Sequence, residues 1–269
     1  MKAVVLARGV GRRMQQPADA AAITDAQRTA ADSGAKGMMP IAQDGRPFLD
    51  YVLSALADAG VSDVCLVVAP DAEHLRRYYD GAGRPQRLRI HYAVQPIADG
   101  TAHAVLAAEV FAGPDPFLVL NADNVYPVAV LRAMIQMAEP GLPVFLRGAL
   151  VVESGFPAAR VAAFALVEIA NDRLVRIVEK PSPAQLLAAG PESLVSMNVW
   201  RFEPSIFAAC REVPISARGE HELPEAVGVA LAAGATFRAF LAQGAVIDLS
   251  QRSDIADVTA RLAGLEARP

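Results

Sequence analysis

Apolar and polar positions alternate on two scales along the first half of the chain. Short Val- and Leu-rich runs at residues 3–7, 64–69, 88–94 and 117–120 have the length and composition of buried strands. Between them the spacing becomes helical. Leu49, Val52, Leu53 and Leu56 share one face of a helix expected over residues 48–59, which Gly60 stops. Residues 72–79 and the Ala-rich residues 101–111 read as two more helices. Strands alternating with helices of this length predict βαβ units and a parallel sheet. Runs apolar on both sides of the pleat predict strands covered on both faces.

The second half is less regular. Residues 143–152, 161–169 and 174–178 read as strands with few helices between them, and residues 194–202 as a further strand. Helices are expected at 205–211, 222–233 and 254–265, with one or two strands inside 236–249. No linker and no internal repeat interrupts the chain, which predicts a single domain over residues 1–269. The polar, Ala-rich segment 15–35 has a helical middle. As a loop it would be unusually long, so it is either a surface excursion or a functional element.

Composition narrows the function classes. With 53% hydrophobic and 20% charged residues the chain is globular and can bury a full core. Its formal net charge of −4 argues against nucleic acid as a partner, so any anionic ligand must be met by a local group of cations. Cys65 lies in an apolar run and Cys210 in an expected helix. They read as buried thiols, which fits a reducing, cytoplasmic setting. The apolar start is interrupted by Arg8 too early for a secretory leader, and no run is long enough to span a bilayer. His74, His91, His103 and His221 show no ligand spacing, so no transition metal is expected.

Candidate chemistry begins directly after the first strand, at Arg8-Gly9-Val10-Gly11-Arg12-Arg13-Met14. Glycines at such a turn let backbone N–H groups approach phosphate oxygens. Three arginines in six residues add bidentate donors, and Lys36 offers a fourth cation. A tight turn beside solvated arginines is the plain alternative. The third glycine of a dinucleotide loop is missing, because Met14 stands there, and no Gly-Lys-Ser/Thr of a P-loop follows.

Further segments in the same order make a resemblance specific. Leu6-Ala7-Arg8-Gly9-Val10-Gly11-Arg12-Arg13-Met14 followed by Lys36-Gly37-Met38-Met39-Pro40-Ile41 resembles the signature of sugar-1-phosphate nucleotidylyltransferases. Gln95 to Val105, with its Gly100-Thr101-Ala102-His103-Ala104, resembles that family's base-binding segment. Asn121-Ala122-Asp123-Asn124 resembles its G-D-N metal segment, and Val178-Glu179-Lys180-Pro181 its V-E-K-P. Ser196-Met197-Asn198-Val199-Trp200, Gly219-Glu220-His221-Glu222-Leu223 and Val246-Ile247-Asp248-Leu249 complete the series. Several positions depart from it. Arg8 replaces an alanine, Arg12 a Thr or Ser, Ala122 a glycine and Val199 a small residue. The segment 15–35 is longer than usual, and Val161-Ala162-Ala163-Phe164 stands where a Tyr-Gly-Val stretch is expected.

The resemblance implies a Rossmann-like three-layer α/β/α fold with a mostly parallel, mixed central sheet. A nucleotide-binding half covers about 1–125 and an acceptor-binding half about 126–269. It implies that a sugar 1-phosphate attacks the α-phosphorus of a nucleoside triphosphate and that pyrophosphate leaves. The nucleophile is already an anion, so positioning and charge stabilisation suffice. On this reading Arg13, Lys36 and Asp123 are catalytic. Leu6, Ala7, Arg8, Gly9, Val10, Gly11, Arg12, Gln95, Gly100 and Thr101 bind the nucleotide. Asn121, Glu179, Lys180, Asn198 and Glu222 bind the acceptor, and Asp123 with Asp248 holds Mg²⁺. UTP is favoured over dTTP because Gly-Thr-Ala-His-Ala resembles the uridylyl members. The partners are then small molecules, with no nucleic acid and no membrane, and a homo-oligomer is left open. Two alternatives stay open: transfer to another phosphorylated small molecule, and a nucleotide-sugar sensing domain that has lost catalysis.

Overall fold

The structure is a computed structural model that describes residues 1–9, 11–16, 23–41 and 45–269. Its strands are β1 (Lys2–Leu6), β2 (Asp63–Val68), β3 (Arg89–Val94), β4 (Phe117–Asn121), β5 (Asn124–Val125), β6 (Gly141–Leu146), β7 (Leu166–Ala170), β8 (Arg173–Val178), β9 (Leu194–Val195), β10 (Trp200–Phe202), β11 (Arg238–Leu241) and β12 (Ile247–Asp248). Among the described residues the main sheet runs β11-β8-β7-β9-β6-β10-β4-β1-β2-β3, and β12 pairs with β5 in a separate ladder. The block β4-β1-β2-β3 is parallel, while β10 joins β4 antiparallel and the β7-β8-β9 part is antiparallel. The expected mixed sheet is present, with its parallel part confined largely to the first half of the chain.

Consecutive residues of β1 show why the sheet has three layers. Ala3 and Val5 pack with Phe48, Leu49, Leu53 and Leu56 of the Phe48–Ala59 helix. Val4 packs with Ala102, Val105 and Ala108 on the opposite face. A strand buried on both sides needs apolar residues at every position, and the run Ala-Val-Val supplies them. Both thiols are buried, and burial pushes Cys65 and Cys210 up to about 12, which keeps them unreactive.

Three expectations for this fold need correction, and one helix is added. The apolar run 143–152 is not one strand: β6 stops at Leu146 and Arg147–Glu153 is a helix. Leu150 alone in that helix is buried, so its apolar residues do not mark a two-sided strand. Residues 161–169 begin in the Ala158–Val161 helix, and β7 starts only at Leu166. Residues 194–202 split into β9 and β10 around Asn198, whose φ of 57° breaks the ladder. A helix at Pro183–Ala189, capped by Ser182 and Gln185, was not legible as such. Within segment 15–35 the expected helix is present as Asp25–Ser33, started by a Thr24–Gln27 capping box and ended by Gly34. Among the described residues no helix is long and apolar enough to cross a membrane.

Candidate active site

Ligands of open α/β sheets gather at the carboxyl ends of the strands. Leu6 ends β1 opposite Asn121, the last residue of β4, so the register itself puts both at that edge. Beside them opens a cavity of about 160 Å³. Glu179, Lys180, Asn198 and Glu222, drawn from three separate segments of the second half, complete its wall together with Thr101. All five residues read from the sequence as acceptor-binding therefore line one space. Lys180 (φ 44°) and Asn198 (φ 57°) both hold left-handed backbone, a conformation that costs a non-glycine residue on the order of 1 kcal/mol.

Arg218 also lines this cavity and was not singled out in the sequence. Its Nε donates to Glu222 Oε1 at 2.8 Å, and its terminal nitrogen pairs with the other oxygen. The signal was present as an Arg and Glu four residues apart across Gly219-Glu220, but an i,i+4 pair is ordinary in itself. Burial alone would raise Glu222. Hydrogen bonds from Arg218 and Ser216, together with the positive charges of Arg218 and Lys180, outweigh it and hold the carboxyl below the usual range. Glu179 behaves oppositely: burial, then the negative charge of Glu222, push it up to about 6.

Lys36 and Asp123 meet as the sequence order suggests, with Nζ 2.8 Å from Oδ2. The short ladder of β5 and β12 pairs Asp248 with Asn124, and the Leu249 N–H donates to the Asp123 carbonyl at 2.9 Å. This brings the two distant aspartates together. Asp248 is buried and held by Asn124 Nδ2 (3.2 Å), by the Ser250 hydroxyl (2.8 Å to either oxygen) and by Arg160 (3.3 Å). Burial and the neighbouring Asp123 charge push it up to about 6. Two adjacent carboxylates with that mutual repulsion are a hard oxygen donor set of the kind a small divalent cation relieves. Arg160 and Ser250 were not singled out in the sequence: Ser250 is a local partner of Asp248, and Arg160 arrives from the Ala158–Val161 helix, 88 positions away, only once the chain has closed.

The loop expected to meet phosphate departs from expectation in one respect. A Cβ on Gly11 (φ 62°) would lie 2.3 Å from the carbonyl oxygen of Gly34, so that glycine is required by the end of the Asp25–Ser33 helix. A Cβ on Gly9 would meet nothing within 4 Å. Arg12 and Arg13 open the Arg12–Gln15 helix and are exposed, whereas Met14 is buried. Arg8 reaches sideways, Nε to the Gln95 carbonyl at 3.4 Å, which places it against the expected base segment. Ala7 continues from β1 and donates its N–H to Val67. Val10 lies outside the described residues, as do residues 17–22 of the long segment. Arg252 ties that segment down, donating to the Met14 carbonyl at 3.1 Å and pairing with Asp32 at 2.5 Å.

Gln95 follows β3 and is buried at the same edge. Gly100 (φ 123°) touches backbone: a Cβ there would lie 2.2 Å from the His221 carbonyl oxygen. The Ala102 N–H donates to that carbonyl, and the His221 N–H donates to the Asp99 carbonyl. Thr101 does not face outward alone; its hydroxyl accepts the Leu223 N–H at 2.9 Å, at the start of the Leu223–Ala232 helix. Two of the four histidines, for which no grouping was expected, do come together. Asp99, His103 and His221 offer ligand atoms within 4.8 Å of one another.

Comparisons with known proteins bear on the family and the fold. The sequence profile described as nucleotidyl transferase matches residues 29–263. The chain belongs to the nucleotidyl transferase family. Among its relatives, the UTP–glucose-1-phosphate uridylyltransferase AglF of Haloferax volcanii is 29% identical, over 97% of this chain and 96% of that protein. The glucose-1-phosphate thymidylyltransferase of Streptomyces antibioticus is 30% identical over 96% of this chain, which spans 65% of that relative. A solved UDP-glucose pyrophosphorylase complexed with UDP-glucose shares the fold, with a TM-score of 0.74 at 18% identity over 97% of both chains. The phosphate loop lies before the residues that the nucleotidyl transferase profile matches, but within the stretch shared with the Haloferax protein, which covers nearly the whole chain.

Proposed function

We propose that this enzyme transfers the nucleotidyl group of a nucleoside triphosphate, UTP in first place and dTTP in second, to a sugar 1-phosphate, with release of pyrophosphate. The observation that carries the proposal is convergence. Asn121, Glu179, Lys180, Asn198 and Glu222 line one cavity beside the edge at which Leu6 ends β1. On this reading the phosphate oxygen of the acceptor forms a bond to the α-phosphorus. The bond to the bridging oxygen breaks, and pyrophosphate carries away the electron pair.

Arg13 and Lys36 would neutralise the charge that builds on the leaving pyrophosphate. The N–H groups around Gly9 and Gly11 would meet phosphate oxygens, with Arg8 and Arg12 adding charge at the mouth. Gln95, Gly100 and Thr101 would form the base pocket, and Lys180 would hold the acceptor phosphate. Glu179, Asn198 and Glu222 would accept from, or donate to, its hydroxyls, with Arg218 keeping Glu222 charged. Asp123 and Asp248 are the residues that would hold Mg²⁺, whose charge, when bound, offsets that of the phosphates. The two halves would form one domain, joined where residues 99–102 meet residues 221–223.

Pyrophosphate release with each nucleoside triphosphate, Mg²⁺ and a panel of hexose 1-phosphates tests the proposal. Turnover with UTP and one or more of these acceptors is expected. Tight nucleotide binding without release for any pair would sink it.

A further inference from the structure

Building on the reading that Gln95 faces the base, we infer that Asp99 is a positioning residue for base selection: it fixes the Gln95 amide so that the carbonyl oxygen is the atom left to read the base. The Gln95 side-chain nitrogen donates to Asp99 Oδ1 at 3.1 Å and to the Gly100 carbonyl at 2.9 Å. An amide NH₂ has two hydrogens, and both are used. Neither partner can donate, because one is a carboxylate and the other a backbone carbonyl. A flipped amide would set Oε1 against two acceptors, so the orientation is decided by chemistry rather than by the shape of the group. Among the described residues no donor meets Oε1.

Asp99 is itself held by two further groups. His103 Nδ1 lies 2.5 Å from Oδ2, and the His221 N–H donates to the Asp99 carbonyl at 2.6 Å. The His103 ring stacks on His221, with centroids 3.9 Å apart and planes 17° from parallel. The His221 ring is fixed in turn, since its Nδ1 donates to the Val213 carbonyl at 2.9 Å. The same three side chains have the composition of a metal site, but the stack argues against one. A ring nitrogen binds a cation in the plane of its ring. Two nearly parallel rings in contact have planes that run side by side, so one ion could serve both only by breaking the stack.

A fixed carbonyl oxygen selects a base that presents a donor. Uracil and thymine carry a ring imide N–H there, whereas cytosine carries a lone pair. The arrangement thus recognises the imide pyrimidines as a class and is indifferent to the thymine methyl.

The test compares kcat/KM for UTP and CTP in wild type, Asp99→Ala and Asp99→Asn, with melting curves to check folding. Asp99→Ala frees the amide to rotate. The UTP:CTP preference should fall about tenfold or more, the scale of one mispaired buried amide, with the loss on KM rather than kcat. Asp99→Asn keeps an acceptor oxygen toward Gln95 and should keep the preference. Should Asp99→Ala not fold, His103→Ala removes the other support of Asp99 and should lower the same ratio to a smaller extent. An unchanged ratio in a folded Asp99→Ala, or in His103→Ala if that alone folds, overturns the inference. So does stoichiometric zinc in purified wild type that His103→Ala loses. A wild type inert with every nucleotide would defeat the transferase reading instead, and titrating UTP and CTP binding in the same variants would still decide the role of Asp99.

Discussion

The Lys36 ammonium sits 2.8 Å from the Asp123 carboxylate, joining the segment that ends the long excursion to the end of β4. Both groups are only partly exposed, so the pair is better shielded from water and salt than a surface bridge. Lys36→Met keeps the stem and removes the charge. It should lower turnover by roughly 10²–10³ while moving the melting temperature by only a few degrees. Asp123→Asn should do the same. Near-normal pyrophosphate release in either variant would remove that residue from the catalytic set.

The two glycines of the loop should separate in a stability measurement. Gly11→Ala puts a methyl 2.3 Å from the Gly34 carbonyl and demands left-handed backbone. It should destabilise by at least about 1–2 kcal/mol in denaturant unfolding. Gly9→Ala meets nothing within 4 Å and should leave the unfolding midpoint in place. If Gly9→Ala is the more damaging to stability, the packing account of Gly11 is wrong.

A pH dependence follows from Glu179 in the cavity wall. Its carboxyl is raised from 4.5 to about 6, first by burial and then by Glu222. The folded state therefore binds more protons than the unfolded chain between these values. The associated stability is fully present below pH 4.5 and is lost as pH rises through 6. Compared with Glu179→Gln, wild type should lose on the order of 1–2 kcal/mol across that window. Parallel stability curves for the two proteins from pH 4 to 7 would refute the assignment. A charged Glu179 is the better acceptor of sugar hydroxyls, so the acceptor KM should fall over the same range.

Arg252 should hold the long segment in place. It reaches both the Met14 carbonyl and Asp32, and Gln27 reaches Pro40 and Thr259 from the same helix. Arg252→Ala should speed tryptic cleavage at Arg28 and raise the KM for the nucleotide several-fold. Unchanged cleavage would mean that Gln27 and the Gly11–Gly34 contact are sufficient.

Legibility in the sequence followed the range of the interactions. The Phe48–Ala59 helix was readable to the residue because its apolar face is periodic and Gly60 ends it. The β1–β4 runs were readable because strands covered on both faces must be apolar throughout. The run through Leu146 and Leu150 misled because apolar content without period fits either element. The site divides in the same way. Glu179, Lys180 and Asn198 could be picked out from local motifs, whereas Arg160 beside Asp248 exists only after the chain has closed. The same holds for His103 and His221, which stack only because residues 99–102 lie against residues 221–223.

The two-residue ladder between β5 and β12 has a consequence for how the protein is made. Asn124 and Asp248 are 124 positions apart, and their contact completes the carboxylate pair. A nascent chain emerging from the ribosome has the parallel block and the loop at Arg8–Met14 long before residue 248 is synthesised. Until then Asp123 stands without its neighbour. On the proposed function, catalysis would therefore wait for β12 to be made, and a product stopped short of it would lack the second carboxylate of the pair.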